Sequence, residues 1–167
     1  MASNNNYLRG DTNEIVVAVH GHTVVEQGDL MVINLSSATM KVVHKLVDYY
    51  GFSVSDLSGI NTVKYTSQFA GIAMNGSKNG VTNNVNIATT GVFRMDLPSA
   101  KTIYSGWPVS GTSSATSIAY NQKIVCSILS PVASKIGKCV KNAASATECD
   151  FELLTKFSGV SYQDIVV

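Results

Sequence analysis

The sequence predicts a mainly β protein: a compact β-barrel or β-sandwich built from two related hairpin units, with one short α-helix inserted at about residues 40–50. Three observations carry this. The first is an internal repeat. Gly28-Asp29-Leu30-Met31, Ala70-Gly71-Ile72-Ala73-Met74 and Val85-Asn86-Ile87-Ala88-Thr89 are answered by Gly106-Trp107-Pro108-Val109, Ile136-Gly137-Lys138-Cys139-Val140 and Phe151-Glu152-Leu153-Leu154-Thr155. The steps from Gly71 to Val85, Ile87 and Thr89 equal those from Gly137 to Phe151, Leu153 and Thr155. A turn, a strand and a hairpin met twice describe a duplicated β unit. The second is composition: 45% of the 167 residues are hydrophobic but only 14% charged, against the roughly 25% usual in soluble domains. Such a chain has a polar but weakly charged surface or buries much of it in an assembly. The third is punctuation, with Gly, Asn and Ser clustered between short apolar runs.

Residues 1–13, polar and Asn-rich, are expected to form a flexible arm anchored only by Tyr7 and Leu8, and residues 14–167 a single β-rich domain. Glu14–His20 is β-branched and strand-like; Gln27-Gly28-Asp29 is a turn and Leu30–Leu35 an apolar strand. In Ser36–Tyr50 the spacing of Val42, Val43, Leu46, Val47 and Tyr50 predicts an amphipathic helix, with Ser36, Ser37 and Thr39 as caps and Gly51 after its end. A further helical turn is placed at Ser53 or Ser55. Gly28 and Gly71 are 43 positions apart, whereas Gly106 and Gly137 are 31 apart, and the helix is expected to account for the excess. Strands are expected at Ser67–Met74, at Asn84–Thr90 and on through Gly91–Met95, with the turn cluster Asn75–Gly80 between the first two. Gly106-Trp107-Pro108 makes a bend in which Trp107 closes one end of the core, and Ser110–Ser117 is a loop of small residues. Lys123–Leu129, Ile136–Lys141 and Cys149–Thr155 complete the second unit, and Ile165-Val166-Val167 is placed as a final strand.

No constellation for chemistry emerges, and neither an enzyme, a cofactor nor a metal site is expected. His20 and His22 share a strand face but have no carboxylate or cysteine at a matching spacing. A hydrolase would have to assemble these two with a loop serine, yet no serine sits in Gly-x-Ser-x-Gly, and Gly76–Gly80 lacks the ending of a phosphate loop. Cys126, Cys139 and Cys149 read as small buried hydrophobes, the latter two facing across the last hairpin. The net charge of +1 gives no field for nucleic acid, and Lys135, Lys138 and Lys141 alternate between strand faces. Arg9-Gly10-Asp11 matches an adhesion tripeptide, a pattern short enough to arise by chance. No segment has the ~20 apolar residues of a membrane span, and Met1–Asn13 is not a secretory signal, so synthesis and folding in cytoplasm are expected.

From about Gly28 to Leu154 the short motifs resemble a known family. Gly71-Ile72-Ala73, the Gly/Asn-rich turn, Val85 through Gly91-Val92-Phe93-Arg94, Gly106-Trp107-Pro108-Val109 and Ile136–Val140 together are similar to the head decoration, or capsid cement, proteins of tailed bacteriophages. The resemblance implies a virion protein on the capsid exterior, often a homotrimer, whose partner is the major capsid protein and which staples neighbouring capsid subunits of the expanded head. It makes Gly28, Gly71, Gly91, Phe93, Gly106, Trp107 and Gly137 a core and turn signature. The arm residues Asn6, Tyr7, Leu8 and Arg9 are the expected capsid-binding residues, added as a strand to a capsid sheet edge. A tail, baseplate or adhesion-type module binding a protein or glycan shares the same strand pattern.

Overall fold

The computed structural model describes residues 6–19, 24–34, 42–45, 69–78, 84–111, 124–128 and 135–155, which carry eleven strands and no helix. After β1 (Asn6–Arg9), a first unit contains β2 (Glu14–Val19), β3 (Leu30–Asn34), β4 (Val42–Lys45), β5 (Phe69–Ala73) and β6 (Asn84–Ala88). A second contains β7 (Val92–Ile103), β8 (Pro108–Gly111), β9 (Ile124–Cys126), β10 (Lys135–Cys139) and β11 (Ala143–Leu153). The first unit is hydrogen-bonded in the order β2–β6–β5–β3–β4 and the second in the order β7–β11–β10–β8–β9. Strand for strand, the two orders are the same.

The correspondence extends to register. Leu30↔Ile72 and Met31↔Gly71, with an irregularity before Val32↔Phe69, match Pro108↔Lys138 and Val109↔Gly137, with an irregularity before Ser110↔Lys135. Each pair is entered through the same turn: Asp29 N donates to Glu26 O and Trp107 N to Tyr104 O, both at 3.2 Å. Gly28 and Gly106 take φ of 91° and 87° there, a conformation that glycine holds without the steric cost of a Cβ. The repeat read from spacing is therefore real, with one adjustment. Spacing matches Val85 to Phe151, but Ala73 faces Ile87 while Cys139 faces Phe151, so Ile87 is the counterpart of Phe151. A slip of two leaves every side chain on its face, which is why the spacing hides it.

The helix expected at about 40–50 is corrected over Val42–Lys45. These residues form β4, parallel to β2 through Ala18↔Val42 and antiparallel to β3 through Ile33↔Val43. β4 occupies the place of β9, since Met31↔Lys45 corresponds to Val109↔Cys126. β-Branched Val42 and Val43 suit a strand held on both edges. The extra length of the first unit falls after that strand: Lys45 to Gly71 spans 26 positions, Cys126 to Gly137 only 11. Residues 46–50, the helical turn placed at Ser53 or Ser55, His20, His22 and the strand expected at Ile165–Val167 lie outside the described residues.

Alternation along the strands fills two interiors. Val17, Met31, Ala73, Val85 and Ile87 pack together in the first unit; their counterparts Met95, Val109, Cys139, Cys149 and Phe151 pack in the second. The β2–β4 pair closes the first sheet on itself. In the second, β1 takes part of the corresponding edge of β7, giving the six-stranded order β1–β7–β11–β10–β8–β9. The opposite face of the first unit is also apolar: Leu30, Val32, Phe69, Ile72 and Ala88 belong to one continuous cluster with the interior of the second unit. Every residue of β5 is consequently buried. The layers pack as in a sandwich in which one layer is curled until its edges meet. On the second unit the counterparts of Phe69, Ile72 and Ala88 are Lys135, Lys138 and Glu152, and Lys138 Nζ meets Glu152 Oε2 at 3.0 Å in solvent.

A Cβ at Gly71 would collide with the Ala88 carbonyl oxygen, and one at Gly137 with that of Glu152, whereas one at Gly106 meets nothing within 4 Å. Gly71→Ala and Gly137→Ala should each cost about 3 kcal/mol in chemical denaturation, and Gly106→Ala about 1 kcal/mol from backbone strain alone. Lys138→Ile with Glu152→Ala gives the second unit two of the outer-face residues of the first, those of Ile72 and Ala88. An exposed ion pair contributes under about 1 kcal/mol, so the fold should persist while light scattering shows a concentration-dependent rise in mass.

Candidate functional site

Two places concentrate features beyond the scaffold, one on the surface and one buried. The surface place is the β1 edge of the six-stranded sheet. β1 pairs with β7 through Asn6↔Arg94, Tyr7↔Phe93 and Arg9↔Val92. The Tyr7 ring stands edge-on to Phe93 at a centroid distance of 5.6 Å, and its hydroxyl donates to the Gly10 carbonyl. Beyond the turn, Asn13 N donates to Thr90 Oγ1 at 2.9 Å and Thr89 N donates to Asn13 O at 2.8 Å, while Thr155 Oγ1 donates to Thr89 O at 3.1 Å. The segment expected as a free arm is thus laid down as a strand over residues 6–9, and its junction is tied to the linker between the units. β1 ends the sheet order, and Tyr7 and Leu8 are 42% and 39% exposed. Arg9 ends β1 and Gly10 and Asp11 follow it, all three exposed.

Next to this edge, Arg94 and Asp150 form a cross-strand pair at the positions of Val16 and Asn86 in the first unit. Arg94 Nε donates to Asp150 Oδ1 at 2.6 Å and Nη2 to Oδ2 at 3.0 Å, with Glu148 Oε2 at 3.7 Å from Nε. They line a cleft of about 310 Å³ together with Ile103, Lys141 and Ser145. The Arg94 hydrogen bonds hold the Asp150 carboxyl below its ordinary value of 3.8. A lowered carboxyl pKa adds stability that is present above the ordinary value and disappears as pH falls through the folded-state value. Asp150→Asn should therefore cost about 1 kcal/mol near neutral pH, after allowance for solvent screening of the partly exposed Arg94. In denaturation curves that difference should vanish below the carboxylate range.

The buried place is where Cys126, Cys139 and Cys149 meet. They come from β9, β10 and β11, all are buried, and their Sγ atoms lie within 4.8 Å of one another. Burial is as the sequence led one to expect; Cys139 pairs in register with Phe151 rather than Cys149, and the approach of Cys126 to both was not foreseen. The three sulfurs act on one another: Cys126 is the foremost influence holding Cys139 below the ordinary thiol value of 9.0, while Cys126, Cys139 and burial push Cys149 up. The Cys139 Sγ also contacts the Lys141 carbonyl oxygen at 3.1 Å.

No protein-family model and no curated protein matches the chain. Solved structures with some similarity to the chain do exist. One of them is the N base of the head fiber gp8.5 of bacteriophage phi29, at 10% identity and a TM-score of 0.46, over 84% of this chain and 94% of that one. Similarity of this degree places no residue of one chain on a residue of the other.

The remaining signature residues are distributed through the scaffold. Phe93 is buried in the second interior, Trp107 packs partly buried against it, and Gly28 and Gly106 are turn residues. Gly71 and Gly137 face partner-strand carbonyls, and Gly91 lies in the linker against Phe93, Thr12 and Tyr7. Among the described residues no helix is long and apolar enough to cross a membrane.

Proposed function

We propose that the chain is a non-enzymatic structural protein of a bacteriophage head, seated on the capsid exterior, where it staples neighbouring major capsid subunits. The observation that carries this reading is the β1 edge, which ends the six-stranded sheet and presents Tyr7 and Leu8 to solvent. An outer sheet edge offers backbone donors and acceptors to an incoming strand, and side chains beside it supply selectivity. The motif resemblance around Gly71-Ile72-Ala73 and Gly91–Arg94 supports the same class. Many copies on one shell act together, so each contact can be weak; a homotrimer would add to that effect.

A second reading, a tail, baseplate or adhesion module, draws on the exposed Arg9-Gly10-Asp11 segment. Co-sedimentation with expanded and immature capsids separates the two. Under the first reading the chain binds expanded capsids, and Tyr7→Ser with Leu8→Ser weakens binding by about tenfold or more while Asp11→Asn leaves it intact. Binding lost only with Asp11→Asn, or directed at tail proteins or a glycan, supports the second.

A further inference from the structure

The duplication supplies an internal control for the buried cysteines. By strand register Cys139 stands where the first unit has Ala73, Cys149 where it has Val85, and Cys126 where it has Lys45. Ala73 and Val85 are themselves fully buried core residues, so the fold needs no sulfur at either place. The second unit nevertheless carries thiols at all three, on three different strands, converging within 4.8 Å. Sulfurs held at about 2.3 Å around a tetrahedral ion lie about 3.8 Å apart, a spacing reached here by small side-chain adjustments.

We propose that Cys126, Cys139 and Cys149 form a structural site for a thiophilic divalent cation of the zinc class, acquired as the second unit folds. Binding replaces three S–H bonds by three metal–sulfur bonds and releases three protons to solvent, with no change of oxidation state. Three buried thiolates alone would be strongly disfavoured; a divalent ion leaves one net negative charge among them, whereas a monovalent ion would leave two. The Lys141 carbonyl, already beside the Cys139 Sγ, provides an oxygen for the remaining position. A disulfide could engage only two of the three sulfurs, while a metal ion uses all of them. Because the cluster is closed to solvent, the ion enters before the sheet is complete, and its binding energy then contributes to folding.

The test is refolding of the full chain under reducing conditions with Co2+ or Zn2+, followed by desalting. The expected result is one metal ion retained per chain, a thiolate-to-Co2+ charge-transfer band that Zn2+ abolishes, and a melting temperature raised by the metal. Cys139→Ala with Cys149→Val installs the first unit's own residues; it should retain no metal and melt identically with and without Zn2+. Wild-type protein that retains no metal and shows no charge-transfer band overturns the proposal, whether or not the variant folds. So does equal retention of metal by the variant.

Discussion

Burial of β3 and β5 on both faces governs the rest of the structure. Met31, Ala70 and Ala73 face the interior of the first unit, while Leu30, Val32, Phe69 and Ile72 join the core of the second. A strand pair placed between two cores must be apolar on every residue, and Phe-Ala-Gly-Ile-Ala meets that demand. It must also approach its neighbour closely, which explains glycine at 71, where a side chain would strike the Ala88 carbonyl. The second unit keeps the glycine at 137 for the same reason. It relaxes the other demand, because only one face of β10 has a core to meet and Lys138 turns to solvent.

Much of this was legible in the residues. Gly28 and Gly106 marked the turns because their φ admits little else, and period-2 alternation through Val85, Ile87 and Phe151, Leu153 marked the hairpins. The slip of two between those hairpins was invisible because alternation repeats every two residues. Apolar residues at 42, 46 and 50 fit a helical period, which disguises the strand at Val42 and Val43. The decisive information was tertiary, in the neighbouring edges of β2 and β3 and in the twin strand Ile124–Cys126.

The two functional places differ in how they could have been found. Tyr7 and Leu8 stood out as the apolar residues of a polar segment, but nothing local announced that Phe93 would receive the Tyr7 ring. The cysteines lie far apart in sequence and show no metal-ligand spacing, since their convergence is made by the pairing of β8 with β9 and β10 and of β10 with β11. The available signal was comparative: aligning the second unit with the first by strand register, rather than by spacing, sets thiols against Ala73 and Val85.

The pairing of β1 with β7 also imposes an order of events on synthesis. Asn6 leaves the ribosome long before Arg94, its partner, so the first strand made must wait while the whole first unit is produced. That unit can close its own ring of strands in the meantime, although its outer apolar face, with Leu30, Val32, Phe69, Ile72 and Ala88, is covered only by the second unit. The second unit has no such independence, since its core is finished by side chains from the back of the first. The N-terminal strand, earliest in the chain, therefore docks on its partner only after β7 has been made.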